Sequence, residues 1–504
     1  MKEKQLPAER KPYTCERETN AHKRIQISQK AFHCNERLLL CLSLHSKFAN
    51  DMVVHEVKIM ENFDIAIIGA GPGGYVAAIH AAKNGKKVAL IERDKLGGAC
   101  YNVGCIPSKI LLEHSKLVQE IKRGNSWGIE VPKVEINFPR LMQRKDTIIH
   151  ELLTNIEHYI INNHITLYRG EASVVKDLTI TIGNETIMAS DIILATGSKP
   201  FVPRFEGLET STYHTTDTFF EIDKLPAQLT IIGGGVIAIE MAFSLAPLGT
   251  KVTVLNHSED ILQTEEAEAR PLIREKMKKF GIELVTDFHF EKFEGNIIHT
   301  SKGSYTYENL LFATGRRPNI EIAEQLGLAF DGRLIAVNEH FETSLPNIYA
   351  IGDLVGGYQL AHSASAEGIY VVDYIVGNQP IPIDQTSIPR CVYTNPEIAT
   401  FGLLEEQVKA PYIVTKMPLQ TNPKALMEGN TEGFVKLISS KDNGQILGAC
   451  VVADGATEIL NALLATKNAG GTARTLAHMI FPHPTVSEHI GDVAKAVFGK
   501  AIHQ

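Results

Sequence analysis

The sequence predicts an α/β protein with two Rossmann-like dinucleotide-binding domains followed by a C-terminal α+β domain. Two segments repeat the order strand, glycine-rich loop and helix, with their loops at residues 69–74 and 233–238. After residue 387, short apolar strands alternate with helices, which is typical of an α+β domain. Because a chain of 504 residues is too long for one ordinary hydrophobic core, we expect several domains.

The first repeated unit begins with the apolar segment 63–68, which predicts a buried strand. An alanine-rich helix is predicted over 75–84, and a second strand over 88–91 that ends in Glu92. Glycines in the intervening loop let the backbone approach a pyrophosphate at the helix N-terminus, and the acid accepts hydrogen bonds from a ribose. In this context the GxGxxG pattern is a strong dinucleotide-binding signal. Its glycines are Gly69, Gly71 and Gly74.

The second unit predicts strands over 229–232 and 251–255, and a helix over 239–248. Its loop carries Gly233, Gly235 and Ala238, and alanine is tolerated at the last position of the fingerprint. The second strand is followed by Asn256, where an acid is expected. Asparagine can hydrogen-bond a ribose hydroxyl but does not repel a 2′-phosphate as a carboxylate would. The next residue is His257 and not an arginine that would bind such a phosphate, so both NAD and NADP remain candidates for the nicotinamide cofactor. Two such units suggest two dinucleotides, a flavin and a nicotinamide; a purely structural repeat is the alternative.

Two cysteines, Cys100 and Cys105, precede a predicted helix start and lie downstream of the first loop. A helix N-terminus lowers the pKa of a thiol and favours the thiolate. A thiolate next to a flavin can pass electrons between a disulfide and the cofactor. A structural disulfide, or two core cysteines that happen to be close, would be the simpler interpretation, but the flanking loops favour redox chemistry.

Composition excludes several classes of function. A net charge of −8 argues against nucleic acid as a main partner, and no apolar run reaches the length of a membrane span. Seven cysteines are few for this length, which favours a reducing cytoplasm, and the sequence predicts no metal site. Residues 1–59 differ in composition from the rest, which predicts a disordered extension or a misassigned start with Met60 or Met52 as the first residue.

From Met60 onward the chain resembles the flavoprotein disulfide reductases, and most closely the branch that oxidises dihydrolipoyl groups. The motifs that carry this resemblance, in chain order, are the Gly69 loop, GGACYNVGCIPSK at 97–109, ATGS at 195–198, the Gly233 loop, ATGRRPN at 313–319, AIGD at 350–353, YTNPE at 393–397 and HPTVSE at 483–488. The segment after 387 resembles the family's interface domain. Its predicted strands are 390–393, 434–439 and 446–452, and its predicted helices are 457–468 and 472–479.

The resemblance implies roles for individual residues. Cys105 would face the flavin of FAD as the charge-transfer thiolate, and Cys100 would exchange with the substrate. Lys109 would lie near the flavin and pair with Glu240, and Asp353 would hold the flavin ribitol. Glu92 would bind the adenosine ribose of FAD. Further cofactor contacts are implied for Gly170, Thr196, Gly197, Gly315, Ala361 and His362.

Near the C-terminus, His483 and Glu488 resemble the family's acid–base pair. A dithiol must lose a proton before it attacks a disulfide, and histidine suits that task because its ordinary pKa lies near neutrality. A carboxylate behind the ring fixes its tautomer and supports the imidazolium. In the family this histidine completes the site of the other subunit, which implies a homodimer.

The implied function is oxidation of a protein-bound dihydrolipoyl group, with electrons passing through the disulfide and FAD to NAD. The implied partner is a lipoyl-bearing protein of a 2-oxo acid dehydrogenase or glycine cleavage complex. A glutathione-reductase-like or mercuric-reductase-like enzyme is the alternative. A mercuric reductase would need a cysteine pair near the C-terminus, whereas the last cysteine is Cys450, which we interpret with Cys391 as a buried apolar residue. A non-enzymatic component of a multienzyme core is a third hypothesis, and the joint presence of both cysteines and the His483 pair argues against it.

The same patterns predict a division of the chain. We expect an FAD-binding domain over 60–199 with a second, central part over 326–386, a nicotinamide-binding domain over 200–325, and the interface domain over 387–504.

Overall fold

The computed structural model describes residues 60–174 and 177–502. The expectation for residues 1–59 lies outside these ranges. The strands are β1 Glu61–Ile68, β2 Val88–Glu92, β3 Thr166–Arg169, β4 Ala172–Val174, β5 Thr179–Ile182, β6 Glu185–Leu194, β7 Ser198–Pro200, β8 Gln228–Ile232, β9 Lys251–Asn256, β10 Glu283–Thr286, β11 Phe290–Glu294, β12 Ile297–Thr300, β13 Gly303–Thr306, β14 Asn309–Phe312, β15 Arg316–Pro318, β16 Phe330–Asp331, β17 Leu334–Ile335, β18 Ile348–Ala350, β19 Arg390–Val392, β20 Glu397–Gly402, β21 Tyr412–Pro418, β22 Phe434–Ser440 and β23 Ile446–Ala453.

The helices are α1 Pro72–Lys83, α2 Gly98–Val103, α3 Cys105–Arg123, α4 Phe138–Asn162, α5 Thr216–Phe219, α6 Val236–Leu245, α7 Ala269–Lys279, α8 Glu321–Leu326, α9 Ala361–Ile375, α10 Pro423–Glu428, α11 Ala456–Asn468, α12 Ala473–His478 and α13 Glu488–Ala496. Short 3₁₀ turns connect several of them, including one at Ala246–Leu248 and one at Gly352–Leu354.

The first sheet has the strand order β3-β2-β1-β6-β5-β4, and β18 also pairs with β6. Strands β1, β2, β3, β6 and β18 run parallel, so their carboxyl ends meet at one edge. Helices α1 and α9 pack so closely against each other that a Cβ at Gly368 would lie 2.7 Å from the Gly73 carbonyl oxygen. The edge that receives the first glycine loop is thus the edge where such sheets bind dinucleotides.

The second sheet is a parallel sheet of four strands in the order β10-β9-β8-β14. Helix α6 follows β8 and is buried along most of its length. A three-stranded antiparallel sheet, β11-β12-β13, is inserted before β14. The C-terminal sheet is antiparallel with the order β19-β20-β23-β22-β21, and α11, α12 and α13 pack on it around a core that includes Leu460 and Ile490. The predicted α/β class is confirmed by this architecture.

A group of charges around the buried Lys436, which we call the Lys436 cluster, joins the second sheet region to the C-terminal sheet. The Nζ atom of Lys436, which is 1 % exposed, lies 3.2 Å from Glu266 and 2.9 Å from both Glu268 and Glu405. Lys416 also binds Glu268. Because an ion left without its partner in such a place is strongly destabilising, the two parts of the chain depend on each other here.

Several element boundaries differ from the sequence prediction. The first helix begins at Pro72 instead of 75, since proline is favoured in the first turn, where its missing N–H is not needed. Helix α6 covers Val236–Leu245, and Pro247 turns the predicted last residues into a 3₁₀ turn. Cys100, expected ahead of a helix, lies inside the short helix α2.

Candidate active site

The two sequence-predicted cysteines meet at the junction of α2 and α3. They are free thiols whose side chains hydrogen-bond to each other. The hydrogen bond from Cys100 and the charge of Lys109, opposed by burial, lower the pKa of Cys105 to about 7. The hydrogen bond to Cys105 and burial raise the pKa of Cys100. The pair is therefore asymmetric, because its surroundings favour the thiolate at Cys105 and the thiol at Cys100.

A partly buried ion pair lies beside Cys105. Lys109 Nζ is 2.7 Å from Glu240 Oε2, and the Glu240 side chain is 4 % exposed. The other oxygen of Glu240 accepts a hydrogen bond of 3.0 Å from the backbone N–H of Tyr393, whose ring lies 4.5 Å from Lys109 Nζ. Glu240 belongs to α6 and Tyr393 to the C-terminal region, so three separate parts of the chain orient the ammonium group next to the thiolate.

The first glycine loop leaves no room for side chains at two of its glycines. A Cβ at Gly69 would lie 2.3 Å from the Ala195 carbonyl oxygen, and one at Gly74 would lie 1.8 Å from the Gly69 oxygen. Gly71 caps α1, and the first turn of this helix has no acidic side chain that would repel an anion. Glu92 accepts hydrogen bonds from the N–H groups of Ala70 at 2.7 Å and Asp94 at 2.8 Å. Since a carboxylate has further lone pairs, these residues fit the adenosine half of FAD.

Other sequence-predicted FAD contacts lie along the same edge. Asp353 is in the turn after β18 and accepts a hydrogen bond from Ser198 Oγ. Gly170 follows β3, and its N–H donates to the Glu92 carbonyl.

The Thr196 hydroxyl donates to the Asn319 carbonyl at 2.8 Å, and the carbonyl oxygen of Gly197 accepts from the Asn319 N–H. Ala361 begins α9, whereas the His362 ring bonds the carbonyl of Pro389 in the C-terminal region.

A cavity of about 330 Å³ opens over the second glycine loop. Gly233, Gly235, Asn256, His257 and Gly315 contribute to its lining. A Cβ at Gly233 would lie 2.3 Å from the Ala313 carbonyl oxygen, which repeats the Gly69 contact, and Ala238 is fully buried in α6.

The Asn256 amide nitrogen donates to the carbonyls of Ser258 at 3.3 Å and Asp260 at 2.9 Å. This arrangement leaves its oxygen as the acceptor for a ribose hydroxyl, and the residues fit a nicotinamide dinucleotide.

His483 and Glu488 form a hydrogen-bonded pair at the start of α13. His483 Nδ1 lies 3.0 and 3.2 Å from the two oxygens of Glu488, and the His483 side chain is 69 % exposed. Although burial opposes the shift, hydrogen bonds from the Thr485 N–H and from His483 lower the pKa of Glu488. The carboxylate is thus charged and holds one ring nitrogen, which leaves Nε2 as the free proton acceptor.

Some site residues were not found from the sequence. The hydroxyls of Tyr75 and Tyr101 lie 3.2 Å apart beside the thiol pair, and burial raises the pKa of Tyr75. Phe205 and Phe290 line the cavity with ring centroids 4.7 Å apart. Only Tyr101, next to a redox cysteine, had a local signal. The prediction that Cys391 is fully buried was wrong, because this residue is half-buried on strand β19 at the edge of its sheet. This partial burial is still enough to raise the pKa of its thiol to about 11.

Comparison with known proteins defines the class. Residues 63–368 match the pyridine nucleotide-disulphide oxidoreductase family, and residues 388–494 match the dimerisation domain of the same family. The chain therefore belongs to the pyridine nucleotide-disulphide oxidoreductase family, which confirms the predicted family and the predicted FAD and NAD cofactors. The matched dimerisation domain supports a homodimer.

Individual proteins of this kind are also similar to the chain. The dihydrolipoyl dehydrogenase of Bacillus subtilis is 36% identical over 470 residues, covering 88% of this chain and 99% of the relative. That of Mycoplasma pneumoniae is 34% identical over 448 residues, covering 86% and 98%. Among solved structures, the Cu(II) complex of the HOCl-induced flavoprotein disulfide reductase RclA from Escherichia coli has a TM-score of 0.79 at 27% identity, covering 87% of this chain and 100% of that one. Within the described residues, we find no helix long and apolar enough to cross a membrane.

The first glycine loop and Glu92 lead us to expect that the purified protein is yellow. Denaturation should release the flavin, since its binding depends on the folded loop and the close contact of Gly69 with Ala195. Absorbance of the native protein and fluorescence of the denatured supernatant measure this. A colourless protein that does not take up added FAD would contradict the assignment.

Proposed function

We propose that this protein is a dihydrolipoyl dehydrogenase that oxidises a protein-bound dihydrolipoyl group and reduces NAD. The observation that carries the proposal is the His483–Glu488 pair, bonded at 3.0 Å, in a chain that also holds the asymmetric Cys100–Cys105 pair. A dithiol substrate needs both a base and a disulfide, and these residues supply them.

In the oxidised enzyme the two cysteines form a disulfide. His483 Nε2 removes a proton from one substrate thiol, and the resulting thiolate attacks the Cys100 sulfur. The Cys100–Cys105 bond breaks, and Cys105 leaves as a thiolate stabilised by Lys109. The second substrate thiol then displaces Cys100, and its proton passes to the Cys100 sulfur. This closes the lipoyl disulfide and leaves Cys100 as a thiol, Cys105 as a thiolate and the first proton on His483. Bound FAD supplies the path by which the two electrons reach NAD, with one proton released to solvent.

The reduced enzyme is the form that the structure describes. The Cys105 pKa of about 7 supports this sequence of steps, because surroundings that stabilise the thiolate favour the product of the first exchange. The Lys109–Glu240 pair orients the positive charge that contributes to this shift. We propose a cytoplasmic location and a lipoyl-bearing protein of a multienzyme complex as the partner, with His483 acting across a homodimer interface.

An assay of the purified protein with dihydrolipoamide tests both the substrate and the nucleotide. We expect turnover with NAD, and a higher kcat/KM for NAD than for NADP, because no arginine directly follows Asn256 to bind a 2′-phosphate. Asn256→Glu should reduce the use of NADP by a further factor of about five or more, since its carboxylate would repel the phosphate.

Asn256→Ala serves as the control for the nucleotide experiment, because it removes the amide without adding charge. It should weaken both nucleotides together and leave their ratio nearly unchanged. A wild-type kcat/KM that is higher with NADP would show the nucleotide preference to be wrong. Faster reduction of glutathione disulfide than oxidation of dihydrolipoamide would overturn the proposed function.

A further inference from the structure

Two short strands connect the two dinucleotide-binding regions. β7 and β15 pair antiparallel, with Arg316 opposite Pro200 and Pro318 opposite Ser198. Each strand directly follows an Ala-Thr-Gly turn. The alanine of each turn is in close contact with the first glycine of a glycine-rich loop, Ala195 with Gly69 and Ala313 with Gly233. The proposed reaction assigns no role to the residues that follow these turns.

Arg316 is held by several hydrogen bonds on this connection. Its Nε donates to Ser198 Oγ at 2.8 Å, and its Nη2 donates to the Ser198 carbonyl at 2.6 Å. Its Nη1 donates to Thr216 Oγ1 at 3.3 Å and lies 3.8 Å from Asp217. The side chain is 18 % exposed. A planar guanidinium bound along its length in this way has one orientation.

The hydroxyl of Ser198 has a single proton, and its direction follows from these contacts. Because Arg316 Nε donates to the Ser198 oxygen, the proton of Ser198 is available only for the second partner, which is Asp353 Oδ2. The hydrogen bonds run in one direction, from the Arg316 cation through the Ser198 hydroxyl to the Asp353 carboxylate. Consecutive hydrogen bonds of this kind polarise and strengthen one another. Oδ2 of Asp353 is thereby fixed.

We propose that Arg316, acting through Ser198, is a positioning residue that holds the Asp353 carboxylate for the flavin ribitol. The inference rests on the proposed function, which requires bound FAD, and on the role at the flavin ribitol that the family resemblance implies for Asp353. Asp353 lies in the turn that follows β18, at the same edge as the first glycine loop. Arg316 is outside that sheet, on the strand that leaves the second one. Flavin affinity therefore depends on a residue from the nicotinamide-binding region.

The neighbouring Arg317 provides a matched control. It has the same charge on the same strand, but its guanidinium lies 3.6 Å from the Phe201 ring centroid and the residue is exposed. We expect Arg316→Gln and Ser198→Ala each to weaken FAD binding on the order of tenfold, which is typical of losing one charge-assisted hydrogen bond. Arg317→Gln should leave it within about twofold of wild type. Flavin release on dilution of the holoenzyme, followed by fluorescence, measures the dissociation constant.

A double variant tests whether the two residues act in series. If Arg316 works through Ser198, Arg316→Gln combined with Ser198→Ala should weaken FAD binding no more than either change alone, because coupled positions are not additive. The circular dichroism of the bound flavin should change in the same way in all three variants. Far-ultraviolet spectra establish that they fold, and Ser198→Ala, which removes only one oxygen, keeps the test valid if Arg316→Gln does not fold.

Three results would overturn the proposal: equal flavin release from Arg316→Gln and Arg317→Gln, unchanged affinity in Ser198→Ala, or fully additive losses in the double variant. The proposed function would be contradicted by a different result. A protein that binds FAD as described but does not oxidise dihydrolipoamide would contradict the function and leave the role of Arg316 intact.

Discussion

In a Cys105→Ser variant, we expect two-electron reduction to give no long-wavelength charge-transfer band, and dihydrolipoamide oxidation to be abolished. The band requires a thiolate against oxidised flavin, and Cys105 is the sulfur whose surroundings favour that charge. A serine hydroxyl cannot ionise near neutral pH and cannot form the disulfide. Anaerobic titration with a reductant, followed by visible absorbance, measures the band.

Cys100→Ser should behave differently although turnover is also lost. Its hydroxyl can still donate a hydrogen bond to Cys105, so a flavin–thiolate pair should be present even without reductant. The reversed assignment of the two cysteines predicts the opposite spectra, and equal spectra from both variants would contradict the distinct roles of Cys100 and Cys105. Cys391→Ser is the thiol control, since its half-buried sulfur has a pKa of about 11 and no cysteine partner among the described residues.

The pH dependence of the band follows from the direction of the shift. The pKa of Cys105 is lowered from 9.0 to about 7, so the thiolate is present above about pH 7 and is protonated as the pH falls through that value. The band of the reduced wild-type protein should therefore fade below about pH 7. A midpoint near 9 would mean that Lys109 and Cys100 do not stabilise the charge.

The His483→Gln variant should lose about 10²–10⁴-fold in dihydrolipoamide oxidation, which is the usual contribution of general-base catalysis. Flavin content should be unchanged, and transfer from NADH to an artificial one-electron acceptor should largely survive, because that half-reaction does not use the dithiol. Glu488→Gln should cost less, since Glu488 only orients and stabilises the ring. His478→Gln is the control, because its Nδ1 is bonded to the Arg474 carbonyl at the end of α12.

Mixed dimers test whether His483 acts on the partner subunit. Subunits carrying His483→Gln and subunits carrying Cys100→Ser should each be inactive alone. After exchange, some dimers would contain one complete composite site, and activity should partly return. If subunit exchange is demonstrated and no activity returns, His483 does not work across the interface.

Much of the fold was predictable because its signals are local. Each glycine loop, with a strand before it and a helix after it, lies within about thirty residues, the length of such a unit. The Lys109–Glu240 pair spans 131 positions and was expected only from the family resemblance. Nothing within either segment indicates that the two side chains meet, because their contact depends on how α3 packs against α6.

Other features could not be predicted for related reasons. The Arg316–Ser198 bond requires β7 and β15 to pair, and strands of three residues give almost no periodic signal. The aromatic wall of the cavity combines Phe205, from the connection after β7, with Phe290, from an inserted strand. In the sequence, neither phenylalanine differs from the many apolar residues that pack in a core. Only their position over the Gly233 loop distinguishes them.

The Lys436 cluster has a consequence for the order in which the chain becomes stable during synthesis. Glu266 and Glu268 leave the ribosome well before Lys416 and Lys436, because these cations lie far later in the sequence. Until the C-terminal strands emerge, these carboxylates lack the two lysines that bind them in the folded chain. The nascent nicotinamide-binding region can thus collapse early, but its surface facing the last domain closes only after β21 and β22 have been translated.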